Sequence, residues 1–187
     1  AQTIRVNRRH LVYCVDVLDS FDYYFSAVEP IAVADGFLVD YSTPRYHDVV
    51  GFDLQPIYFS SFAEPLVTTQ QYLEFAQLKE GSVVLDLGAY SGLTSIIFKE
   101  IAGQNGRVVA VDADAQNLIA IRKNLAFYKK NVGRRIELIE GAVWRDNDGL
   151  EFSTEGNMGS SAASIVGGVR GGVTKVPSYT LSAIIEK

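Results

Sequence analysis

The stretch VVLDLGAYSGLTS, Val83 to Ser95, sets Asp86 at the end of an apolar run and follows it with a bend flanked by Gly88 and Gly92. An acid at the carboxyl end of a buried strand sits where open α/β sheets bind their ligands. Glycines there let the backbone approach a ligand without Cβ interference. The spacing is Gly-x-x-x-Gly, and the position where a dinucleotide fingerprint places its second glycine is Tyr90, whose bulk crowds a diphosphate. No Lys-Ser/Thr pair follows, so the loop is not a P-loop either. The ligand that fits is a nucleoside without phosphates. S-adenosyl-L-methionine has that form, and its sulfonium cation favours acids over amides.

Two further strand ends extend this pocket. RVVAVD closes on Asp112, followed by Ala113, 24 residues after Gly88, the interval at which an acid meets ribose hydroxyls. A carboxylate can accept from both hydroxyls of a ribose. IELIEGAVW then offers Glu140 to the adenine amino group and Trp144 as a cover for the ring. Asp114, just beyond Asp112, is the better cap for the helix that follows. Displacement at a sulfonium needs alignment more than acid–base power, although a hydroxyl acceptor gains from a base. Of the two histidines, His47, beside Asp48 and close to Arg45, is the candidate base; the competing reading is a surface-loop histidine. His10 follows two arginines and reads as exposed. Cys14 reads as a small buried residue, and no metal centre is expected. Arg122, Lys123, Lys129, Lys130, Arg134 and Arg135 read as solvated helix faces rather than an anion site.

These residues need elements to hold them. SVVLDLG, RVVAVD and RIELIEGAV are apolar runs without alternation, the pattern of parallel strands covered on both faces. Between them, Leu93, Ile96, Ile97 and Ile101 mark a helix ending at Gly103. Leu118, Ile121, Leu125 and Tyr128 mark another, ending near Gly133. Strand–helix–strand–helix–strand is half of a Rossmann unit with right-handed crossovers. Before it, Thr68 and Gln71 form a capping box, Tyr72, Phe75 and Ala76 share a face, and Gly81 supplies a stop. After it come DNDGLEFS as turn and strand, a Gly/Ser-rich loop, VTKVPSY as strand, and TLSAIIEK as a helix capped by Thr180 or Ser182. Residues 1–65 read as a β-rich module with Asp35-Gly36 as a hairpin turn, and 66–187 as the ligand-binding part. SFDYYFSAV fits either helix or strand.

Composition agrees with two parts. Residues 1–80 carry 5 Lys/Arg against 11 Asp/Glu, and 81–187 carry 12 against 11. A net charge of −5 argues against nucleic-acid partners, whose phosphates attract basic surfaces. No apolar run approaches the roughly 20 residues of a membrane span, and a single cysteine fits a reducing, cytoplasmic setting. The aromatic-rich first part reads mainly as core, with a carbohydrate site or a homo-oligomer interface as the other uses.

Taken together, VVLDLGAYSGLTS, GRVVAVDAD and IELIEGAV resemble class I S-adenosylmethionine-dependent methyltransferases. EGAVWRDNDGLEFS, the Gly/Ser-rich stretch and VPSYTLSAIIEK extend the resemblance to the FkbM-type subfamily, over about residues 66–187. It implies an α/β, Rossmann-like sheet and O-methyl transfer to a hydroxyl of a sugar, glycan or small metabolite. It also implies that Asp86, Gly88, Ala89, Ser91 and Gly92 cradle the methionine end, Asp112 the ribose, and Glu140, Gly141 and Ala142 the adenine. Members often carry Glu at the position of Asp112 and continue into a strand with a KIDxEG-like motif, so a sheet incomplete at its C-terminal side is expected. Two alternatives stand beside this reading: an NAD-dependent oxidoreductase, and a non-catalytic cofactor-binding or assembly module.

Overall fold

The computed structural model describes residues 2–6, 27–41, 44–154, 161–162 and 172–186. Cys14, His10 and the HLVYCVDVL run lie outside them, as do most of SFDYYFSAV and of the Gly/Ser-rich loop. The chain forms two compact units, Ala1–Gln77 and Leu78–Lys187.

In the first unit, β1 (Gln2–Val6) pairs in parallel with β3 (Gly36–Tyr41), and β2 (Ile31–Val33) pairs antiparallel with β3. The β2–β3 hairpin turns at Ala34-Asp35, one residue ahead of the Asp35-Gly36 signal, and Gly36 opens β3. A second hairpin joins β4 (Arg45–Val49) to β5 (Phe52–Phe59), with Val49, Ile57 and Phe59 buried. The helix α1 (Leu66–Ala76) departs from the sequence reading at both ends. Its N-cap is Pro65, with no side-chain cap, and Thr68 lies within the first turn, so the capping box is not used. It stops at Gln77, left-handed at φ 47°, four residues before Gly81. Only Thr69 of this helix is buried, and the shared face of Tyr72 and Phe75 is exposed, Phe75 to 92%.

The second unit carries the parallel sheet. Its strands β6 (Val83–Leu87), β7 (Arg107–Asp112) and β8 (Glu137–Glu140) lie in the order β6-β7-β8, joined by α2 (Leu93–Ala102) and α3 (Ala115–Val132). This is an α/β, Rossmann-like arrangement. Both helices end where the glycines are, at Gly103 and Gly133, and Asp114 caps α3 by accepting from the N–H groups of Gln116 and Asn117. Along β7, Val109 and Val111 meet Ile184 of α4 (Leu181–Ile185), with Leu85 and Ile139 beside them. Side chains alternate across a strand, so Val108 and Ala110, equally buried, face the other way. Thus β7 is the covered centre of the sheet. By contrast, β6 is only partly covered: Val83 is 70% and Leu87 49% exposed. The expectation of burial on both faces fails here because, among the described residues, β6 pairs on one side alone.

The third run also departs from a single strand. It breaks at Gly141, and β9 (Ala142–Val143) pairs instead with β13 (Ser178–Tyr179). A Cβ on Gly141 would lie 2.8 Å from the Pro177 carbonyl oxygen, so β13 approaches where only glycine leaves room. Beyond β9, β10 (Leu150–Thr154) pairs antiparallel with β11 (Ser161–Ala162) and β12 (Gly172–Val176), packing Phe152 and Val176 on Ala113 and Ala142. Thr180 caps α4, accepting from the Ala183 N–H.

The helices α2 and α3 are joined by a polar junction. The fully buried Tyr128 on α3 donates its hydroxyl to Glu100 Oε1 of α2 at 2.5 Å, and Arg134 Nη1 reaches the same oxygen at 2.8 Å. Burial and then the Glu100 carboxylate push the Tyr128 phenol up, so it stays protonated and donates. Tyr128→Phe keeps the ring and removes a hydrogen bond to a charged group. A loss of about 1.5 kcal/mol is expected, read as a Tm lower by about 4 °C; an unchanged Tm in a thermal scan would show the junction to be idle.

Candidate ligand site

The three strand ends meet at the carboxyl edge of the sheet. Asp112 and Glu140 are register partners, and Leu87 lies beside Val111. The loop between β6 and α2 is held to this edge by its own amides. The N–H groups of Gly88 and Ala89 both donate to the Val111 carbonyl, at 2.8 and 3.0 Å. The Tyr90 N–H donates to Asp112 Oδ2 at 2.9 Å. At Gly88, φ is +87° and a Cβ would meet nothing within 4 Å, so glycine serves the backbone conformation and leaves that flank of the loop open. Tyr90 is also left-handed, at φ 48°, a conformation that costs a bulky residue about 1–2 kcal/mol. Its bond to Asp112 and the burial of its ring hold it there.

Asp112 is the hub of the site. It is 7% exposed, and its Oδ1 accepts the Asp114 N–H at 2.9 Å and Asn117 Nδ2 at 3.5 Å while Oδ2 takes Tyr90. Three donors thus occupy most of its lone pairs before any ligand arrives. Burial pushes its carboxyl up to about 6, more than the Asp114 and Tyr90 N–H bonds pull it down; the Asp114 charge adds to the rise. Asp86, at the end of β6, accepts the Ser95 hydroxyl at 2.5 Å. Desolvation raises its carboxyl too, partly offset by that hydroxyl.

The remaining predicted residues fall around these two acids. Ala89, Ser91 and Ala113 are buried, and Gly92 caps α2 at φ 80°. Glu140 is exposed and makes a two-point ion pair with Arg122 of α3, at 2.6 and 2.9 Å. The Gly141 N–H donates to the Asp112 carbonyl at 2.8 Å and the Ala142 N–H to the Pro177 carbonyl at 2.9 Å, joining this edge to β13. The Trp144 N–H bonds Tyr179 O at 2.9 Å, and the Arg145 guanidinium lies 5.9 Å from its ring centroid. His47 belongs to the first unit, where it is buried in β4 with its ring 5.9 Å from Phe59, so the surface-loop reading of it does not hold. Among the described residues no group of three or more His, Cys, Asp or Glu could hold a metal, and no helix is long and apolar enough to cross a membrane.

Sequence reasoning missed Ser95, Asn117 and Asn124. Asn124 Nδ2 bonds the Ser91 carbonyl at 2.8 Å and so anchors the loop from α3. A signal existed: Asn117, Ile121, Asn124 and Tyr128 recur at helical spacing, which puts two buried amides on the apolar stripe.

Comparison with known proteins bears on this geometry. The model of the protein-L-isoaspartate(D-aspartate) O-methyltransferase family matches residues 39–144, more than half of the chain. The ribosomal protein L11 methyltransferases of Thermotoga maritima and Thermotoga petrophila are each 29% identical over 100 residues, covering 52% of this chain and 37% of theirs. The chain therefore spans little more than a third of the length of these curated relatives. A solved precorrin-6y C5,15-methyltransferase from Geobacter metallireducens GS-15 is 32% identical, with 41% of this chain and 38% of that chain covered and a TM-score of 0.36.

Proposed function

The chain belongs to the protein-L-isoaspartate(D-aspartate) O-methyltransferase family, and from that premise we propose that it binds S-adenosyl-L-methionine at the carboxyl edge of β6–β8 for methyl transfer to an oxygen acceptor. The observation that carries the proposal is the family match itself, which spans the loop, both helices and all three strand ends. The residues fit the group in part. The open flank at Gly88 admits a ligand against the backbone, and Asp86 supplies a carboxylate for the cationic methionine end. Asp112 keeps little free capacity, so its part is to hold the loop in shape and to offer the ribose one remaining lone pair. Glu140 reaches the adenine side only if its pair with Arg122 opens. Bound there, the cofactor supplies an activated methyl group; this chain's residues bind and orient it.

For the acceptor we propose a hydroxyl of a sugar or small metabolite. The sequence resemblance of EGAVWRDNDGLEFS and VPSYTLSAIIEK to the FkbM-type subfamily supports it. The family name favours a second oxygen acceptor, a carboxylate on a protein. Both readings share O-methyl transfer, and a panel of hydroxyl and isoaspartyl acceptors separates them. Titration with S-adenosyl-L-homocysteine by calorimetry tests the cofactor reading: heat with one site per chain is expected. Folded protein that gives no heat, or that binds NAD more tightly, sinks it.

A further inference from the structure

Ser95 is fully buried in the first turn of α2, and its hydroxyl proton goes to Asp86 Oδ2 at 2.5 Å. Packing alone is served by alanine, and a helical serine normally donates to the carbonyl four residues back. That carbonyl, Ser91 O, already takes Asn124 Nδ2. The Ser95 hydroxyl instead spans from helix to strand end, and it is the only hydrogen bond that the Asp86 carboxylate makes among the described residues. A carboxylate held at one oxygen is fixed in rotation, with its other oxygen left for a ligand. Resting on the cofactor reading above, we infer that Ser95 is a positioning residue: it orients Asp86 so that Oδ1 takes the ammonium of the cofactor's amino-acid end.

Two probes separate this role from general loosening of the loop. S-adenosyl-L-homocysteine carries the amino-acid end; 5′-methylthioadenosine has the same nucleoside without it. Ser95→Ala is expected to weaken S-adenosyl-L-homocysteine about tenfold, the scale of one hydrogen bond to a charged group. Binding of 5′-methylthioadenosine should stay within about twofold, because that ligand makes no use of Asp86. In an Asp86→Asn background the same Ser95→Ala change should cost S-adenosyl-L-homocysteine nothing further. Equal weakening of both ligands, no weakening of either, or an undiminished effect in the Asp86→Asn background overturns the role. Thermal scans of each variant confirm that folded proteins are compared. A folded wild-type chain that does not bind S-adenosyl-L-homocysteine sinks the cofactor reading itself, and this inference with it.

Discussion

Asp112→Asn is expected to abolish a fall in stability that the wild-type chain shows between pH 4 and pH 6. The sign follows from where the proton sits. In the unfolded chain Asp112 ionises near 4, whereas burial holds its folded carboxyl to about 6. Between those values the unfolded state has released a proton that the folded state retains, so rising pH favours unfolding. The stabilising contribution is complete below pH 4, declines through 6 and is then constant. Two pH units correspond to about 3 kcal/mol. Asp86 shifts in the same direction. Glu137, lowered by its exposed pair with Arg107, acts in the opposite direction.

The comparison is therefore the difference between wild type and variant, measured by urea unfolding at pH 4 and pH 7. Asparagine removes the titration but sets an amide N–H₂ against one of the two backbone donors, Tyr90 N–H or Asp114 N–H, each bonded at 2.9 Å. Leaving one buried donor unpaired costs about 1–3 kcal/mol. The variant should thus be the weaker protein at pH 4 and close to wild type, or above it, at pH 7. Parallel curves would show that Asp112 is solvated, and the hub described here would fall.

Gly106→Ala should be the most damaging single methyl among the described glycines of the second unit. A Cβ there would lie 2.4 Å from both the Ala102 Cβ and the Ala102 carbonyl oxygen. Neither neighbour is a flexible side-chain tip, so the backbone must move. The Ala102 carbonyl accepts the Gly81 N–H at 2.9 Å, and the Gly106 carbonyl accepts Lys99 Nζ at 2.5 Å. Displacement strains both bonds where α2 turns into β7. Overpacking against rigid atoms is expected to cost about 3 kcal/mol, or about 9 °C in Tm. A Tm within about 2 °C of wild type would mean that the turn yields freely.

Much of this was legible in the sequence where one physical signal acted alone. The helices α2 and α3, their glycine stops and the Asp114 cap are local and stand, with Leu93, Ile96, Leu118, Ile121 and Tyr128 of their stripes buried and Ile97, Ile101 and Leu125 half-buried. The hairpin signalled by Asp35-Gly36 is equally local, its turn falling one residue earlier. What was illegible depends on partners distant in the chain. The run Val83–Leu87 has the pattern of a covered strand, but pattern does not count neighbours, and the described residues provide one. The break at Gly141 comes from Pro177, 36 residues later. Thr68 and Gln71 satisfy a capping rule, yet Pro65 opens the helix first. In sequence, Asp112 and Glu140 have the positions of groups that reach outward to a ligand. Their spacing could not reveal that Tyr90, Asp114 and Arg122 hold them from within.

The half-covered edge of β6 also bears on how this polypeptide behaves in a test tube. Edge strands commonly carry lysine, proline or a bulge that discourages pairing with another chain. Val83–Leu87 has none of these, and its one charge, Asp86, is tied inward to Ser95. Val83 and Leu87 are exposed, and among the described residues β6 pairs with β7 alone. Such an edge is a template for self-association that grows with concentration. Among the described residues, the strand that carries Asp86 is thus also the one whose flank is most open to another strand.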